Sequence, residues 1–168
     1  MLNKNIEQLQ KIIEVCDIHL KRLNNAFRNV FKLLPFSEEK YNNLTDEQIA
    51  YIDQYIFRFS KLQDTIGEKL FKQILVYSEE QIENLTFRDI LNKMEKFRII
   101  DNHETWNKLR ETRNDISHEY PVITNEAIIA LNELFILKKD LENIYNECLL
   151  FLYTSDIQKL LKIQIEKY

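Results

Sequence analysis

Glycine is almost missing from this sequence: the 168-residue chain has one, Gly67. A G-x-G-x-x-G turn or a P-loop needs several backbone positions free of a Cβ, so neither phosphate-cradling loop can be built here. The many tight turns of a β-sandwich or barrel are excluded on the same ground. Cysteine is nearly as scarce. Cys16 and Cys148 are too few for a disulfide framework and too far apart to resemble a zinc site, so a reducing cytoplasm is the expected compartment. Long apolar runs are missing too. The richest stretch, CLLFLY at 148–153, falls far short of the ~20 residues of a membrane span, so no membrane partner is expected. The N-terminal MLNKNIEQLQKIIEV alternates polar and apolar residues without the apolar centre of a signal peptide.

What the chain does have is charge of both signs and apolar periodicity. Hydrophobic residues make up 45%, enough for one domain with a sizeable core. The net charge of −4 argues against a general polyanion binder, so any nucleic-acid contact must use a local basic patch.

Apolar positions at Ile6, Leu9, Ile13, Cys16, Leu20, Leu23, Phe27, Val30 and Leu34 form one stripe of a first helix, which Pro35 stops. A polar connection, SEEKYNN, leads to Thr45, Asp46 and Glu47, which read as a helix start. The second helix carries Ile49, Ile52, Ile56, Phe59, Leu62, Ile66, Leu70 and Ile74. Each of the two is roughly 40 Å long, and the short link favours an antiparallel pair. Thr86 opens a shorter third helix, Asn102 or a neighbour caps a fourth running toward Pro121, and a fifth extends from near Thr124 to about Tyr153. The expected fold is all-α, an up-down bundle of four to five helices over residues 1–153. Residues 154–168 would form an amphipathic tail or short helix.

One segment looks chemical: LRETRNDISHEYP, residues 109–121. His118 offers an imidazole, which exchanges protons near neutrality, and Arg113 a permanent cation able to grip phosphate with two parallel hydrogen bonds. Five residues on an ideal helix turn through about 500°, so Arg113 and His118 diverge by about 140°. Either the helix end unwinds before Pro121, or two copies of the segment meet across an interface.

The run RNDISHEY, Arg113 to Tyr120, fits Arg-x4-His-x-Tyr and resembles the motif of HEPN-domain proteins of the HepT type, toxins encoded beside a minimal nucleotidyltransferase antitoxin. FRFSKLQDTIGEKLF, residues 57–71, is similar to the second helix of HEPN proteins that accompany nucleotidyltransferases. The resemblance implies a homodimer and an RNA endonuclease that needs no metal or other cofactor. Arg113 would polarise the scissile phosphate and His118 would act as general acid or base. Asn114 would orient the arginine or bind a phosphate oxygen, and Tyr120 would be the acceptor of AMP from the nucleotidyltransferase. The same resemblance leaves room for a non-catalytic substrate-binding or interaction subunit. A plain helical interaction protein is a third possibility.

Other residues are weighed against simpler roles. Asp64 is a polar position on an apolar helix: the resemblance implies that this region faces the motif helix, and the simpler role is a solvated side chain. Arg110, with Lys108 and Arg98, could form a basic rim for RNA or merely balance Glu104 and Glu111. Cys16 and His19 are expected to be a helix-face pair, and His103 a solvated or capping residue. Phe57, Phe59 and Phe71 fall at core spacing, which predicts packing in preference to base-stacking platforms. Gly67, unfavourable in a helix interior by about 1 kcal/mol, is expected to permit a close helix approach.

Overall fold

A computed structural model describes residues 2–78 and 80–154, and every described element is helical. The predicted tail therefore lies outside the described residues beyond Thr154. Helix α1 (Leu2–Val30) ends in a 3-10 turn, Phe31–Leu33, just before Pro35. The connection read as polar and irregular contains a short helix, α2 (Glu38–Asn42). Ser37 caps it by accepting a hydrogen bond from the Lys40 amide, and Tyr41 is buried edge-on against Phe36. Spacing alone could not reveal an element with a single buried side chain.

The second predicted helix is three segments on one axis: α3 (Asp46–Thr65), a π-helical turn (Ile66–Leu70) and α4 (Phe71–Tyr77). Thr45 and Gln48 close a reciprocal capping box at its start. In the π turn the Phe71 amide reaches back to the Ile66 carbonyl, which shifts the helix register by one residue. Helix α5 (Phe87–Lys96) begins with a second capping box, Thr86 with Asp89. Asn102 caps α6 (His103–Glu119) through the Thr105 amide.

The predicted fifth helix is interrupted at Leu137, giving α7 (Asn125–Ile136) and α8 (Lys138–Thr154). In a continuous helix the Lys138 amide would donate to the Leu134 carbonyl. That carbonyl instead accepts from the buried Tyr55 hydroxyl at 3.2 Å. The apolar pattern runs straight through the break, so periodicity could not show it.

Helix α1 packs along α3, and α6 packs between α3 and α7. Both neighbours of α3 run antiparallel to it: Asn5 pairs with Gln73 and His19 with Arg58 on one side, Arg113 with Asp64 and Tyr120 with Asp53 on the other. One continuous core joins the helices, with Tyr55 stacked on Phe135 at 3.9 Å and Trp106 against Phe71 at 4.8 Å. The Tyr145 hydroxyl ties α8 to α1 by donating to Asp17 at 2.7 Å. No helix among the described residues is long and apolar enough to cross a membrane.

Candidate functional site

Helix α6 carries the residues singled out from the sequence. It stays helical through Glu119 and ends at Tyr120, whose backbone is extended (ψ 140°). Of the two alternatives, unwinding of the helix end between Arg113 and His118 does not occur, so the two side chains diverge by about 140° around the axis. Arg113 turns inward toward α3. Its Nη2 donates to Asp64 Oδ1 at 2.8 Å and its Nε to Gln63 Oε1 at 3.3 Å. The pair is half-buried, with side chains 25% and 32% exposed, so it is screened less than a surface ion pair. The Ser117 hydroxyl donates to the Arg113 backbone carbonyl at 2.7 Å.

The arginine lines a cleft of about 260 Å³ between α3 and α6. Gln63, Asp64 and Glu68 come from the α3 side, Trp106, Arg110 and Arg113 from α6, with Phe87 of α5 contributing an apolar surface. Gly67 makes the close approach possible: a Cβ there would sit 2.6 Å from Trp106 Cζ2. Within this lining, Gln63 Nε2 and Trp106 Nε1 are buried donors with no hydrogen-bond partner among the described residues. Arg110 is exposed and spreads over the Phe87 ring at 5.2 Å. A larger groove, about 380 Å³ between α1 and α8, is lined by Leu20, Leu149, Leu150 and Tyr153 and is mostly apolar.

His118 and Asn114 do not enter this cleft. Both are exposed, and neither has a hydrogen-bond or ion-pair partner among the described residues. With Arg110 they recur every four residues, so Arg110, Asn114 and His118 form one polar ridge on the solvent face of α6. Beside that face Lys108 is paired with Glu133 of α7 at 2.7 Å, and Glu133 lies between two exposed isoleucines, Ile129 (57%) and Ile136 (74%).

Tyr120 lies elsewhere. Its hydroxyl donates to the Asp53 carboxylate on α3 and sits 2.8 Å from the Tyr41 hydroxyl. With its single proton committed to Asp53, the phenol accepts from Tyr41. Burial first, then the Asp53 carboxylate, pushes the Tyr120 phenol well above the ordinary tyrosine range. Asp53 and Asp64 are eleven positions apart on α3, so within one chain this hub is about 16 Å from the Arg113 pair.

Compared with protein-family models, curated proteins and solved structures, the chain matches none. The HEPN resemblance therefore rests on the motif of α6, the run at 57–71 and the helical plan alone.

The remaining expectations divide. Phe59 and Phe71 are fully buried, but Phe57 is 50% exposed, so the expected packing fails there. Seven residues before Asp64, it shares the outward face of α3. His103 opens α6 and bonds Glu95 at 2.9 Å through Nδ1, while Asn102 supplies the cap. Cys16 is buried and His19 reaches Arg58 at 3.2 Å, so the two are not a ligand pair. Among the described residues no three His, Cys, Asp or Glu side chains gather as a metal site would require. Asp53, Tyr41, Gln63 and Trp106 were missed because their importance comes from contacts across helices, which spacing along one chain does not encode.

Proposed function

We propose that the chain is a HepT-like toxin: an RNA endonuclease that works as a homodimer and is neutralised when a minimal nucleotidyltransferase transfers AMP to Tyr120. The observation that carries this reading is the unbroken α6, which holds Arg113 and His118 on different faces. One chain cannot aim both at one phosphorus, whereas two copies meeting along the ridge of Arg110, Asn114 and His118 can. The exposed Ile129 and Ile136 beside that face supply apolar surface for such a contact.

In the proposed reaction Arg113 holds the scissile phosphate and His118 of the other copy handles the proton. The RNA 2′-hydroxyl attacks the adjacent phosphorus and gives up its proton, and the bond to the 5′-oxygen breaks. That oxygen takes a proton, leaving a 2′,3′-cyclic phosphate and a 5′-hydroxyl. The Asp64 carboxylate keeps Arg113 positioned until phosphate competes for its N–H groups. An adenylyl group on Tyr120 adds anionic bulk beside Asp53, displaces the phenol from its hub and repels RNA.

The Arg113–Asp64 pair also favours a second reading, a non-catalytic interaction subunit in which the pair merely ties α3 to α6. Incubation of the purified protein with RNA in excess chelator separates the two. Cleavage with cyclic phosphate ends, lost in His118→Ala, supports the nuclease. Intact RNA with wild-type protein removes it. Co-expression with a neighbouring nucleotidyltransferase followed by peptide mass spectrometry should place AMP on Tyr120; an unmodified peptide would end the proposed mode of neutralisation.

A further inference from the structure

The chain is acidic overall, yet one face of the α1/α3 pair collects cations around an aromatic ring. Phe57 is 50% exposed, with the Arg58 guanidinium carbon 4.9 Å and Lys61 Nζ 5.8 Å from its ring centre. Arg58 Nη1 lies 3.2 Å from His19 Nδ1 on α1, and Arg58 Nε is buried with no hydrogen-bond partner among the described residues. Arg22 of α1 adds a further exposed cation. None of Arg22, Arg58 and Lys61 has a carboxylate partner among the described residues, whereas Lys93, Lys108, Arg113 and Lys138 all do. The electrostatics agree. Burial, then Arg58, Arg22 and Lys61, pull the His19 imidazole below its ordinary range, and burial together with Arg22 lowers Arg58. Among the described residues no carboxylate pairs with this charge, and a half-exposed ring, flanked by Arg58 and Lys61, stands in its middle.

We infer that Phe57, Arg58, Lys61 and Arg22 form a docking surface for single-stranded RNA, with a base stacked on Phe57 and flanking phosphates held by the cations. Stacking on an exposed ring combined with a basic groove is how unpaired strands are bound without sequence preference. An acidic protein segment would satisfy the charges but has no use for the ring, which is why RNA is favoured. Phe57 and Asp64 differ by about 20° in azimuth and about 10 Å along α3, so the patch lies on the same face as the Arg113 pair and within reach of a strand whose phosphate meets Arg113. The surface would thus hold RNA beyond the scissile position. The inference rests on RNA being the substrate.

The test uses a labelled, unstructured RNA carrying 2′-O-methyl groups, which lacks the attacking hydroxyl and stays intact, and labelled polyglutamate as a control polyanion. Fluorescence anisotropy compares wild type, Phe57→Ala, and the double variant Arg22→Gln/Lys61→Gln. All three changes are at exposed positions, and circular dichroism checks the fold. Phe57→Ala should weaken RNA binding about fivefold or more. The double variant should lower the slope of log affinity against log salt by about 1.4, the loss of two phosphate contacts. On cleavable RNA both should raise KM and leave kcat near wild type. Wild-type cleavage with unchanged binding in both variants overturns the patch and leaves the nuclease standing. Equal loss of RNA and polyglutamate binding in the double variant, with Phe57→Ala silent, overturns it in favour of an acidic protein partner. A wild-type chain that neither binds nor cuts RNA ends the inference and the nuclease reading together.

Discussion

Trp106 lies where a side chain on residue 67 would have to go. Alanine at that position would gain about 1 kcal/mol of helix propensity but force its Cβ to within 2.6 Å of the indole. Overpacking of this kind costs about 1–3 kcal/mol, and the group that must give way is a rigid ring buried against Phe71. Gly67→Ala should therefore lower the unfolding free energy in urea titration, and a more stable variant would refute the packing account. The single glycine on a long apolar helix was legible as a contact point from the sequence. The exposure of Phe57 was not, because Phe59, two residues on, is a fully buried residue of the same type. The buried thiols give a second test at this scale. Burial, with Asp17 nearby, pushes Cys16 up from an ordinary 9.0 to about 12, and burial raises Cys148 as well. The folded state thus holds these protons more tightly than the unfolded chain does. Below about pH 9 their contribution to stability is complete; above it the unfolded thiols ionise first and stability falls as pH approaches 12. Urea midpoints at about pH 8 and about pH 11 should differ in that direction, and a flat profile would contradict it.

Helix α6 divides its labour between two faces. Arg113 is tied to α3, while His118 stands in solvent without a partner among the described residues. His118→Ala should leave stability within about 0.5 kcal/mol of wild type, as surface changes usually do. Under the proposed function it should also slow RNA cleavage by about 100-fold or more. Lost activity with a large loss of stability would mean that the residue serves the fold. The caps at Thr45, Thr86, Asn102 and Thr124 were readable because a cap needs only a local side chain. The break at Leu137 and the helix at Glu38–Asn42 were not, since one coincides with a Tyr55 contact from another helix and the other rests on a single buried tyrosine.

At the scale of the whole molecule, the 140° divergence leaves the proposed site incomplete in one chain. Mixing Arg113→Ala with His118→Ala subunits tests this directly. A site shared between copies would regain activity in the mixed dimer, because one of its two sites keeps both groups, whereas a site contained within each chain would stay silent. The bundle was legible from its apolar stripes, but the geometry between copies is not written in any single helix. Trp106 offers a practical consequence. It is the one tryptophan of the chain, and it lines the cleft that holds Arg113. Ultraviolet emission excited at the indole band therefore comes from that cleft, without any label. Occupation of the cleft by a short RNA should shift or quench this light, and Arg113→Ala should abolish the response. A molecule with several tryptophans would blur such a signal; here one chromophore stands at the place in question.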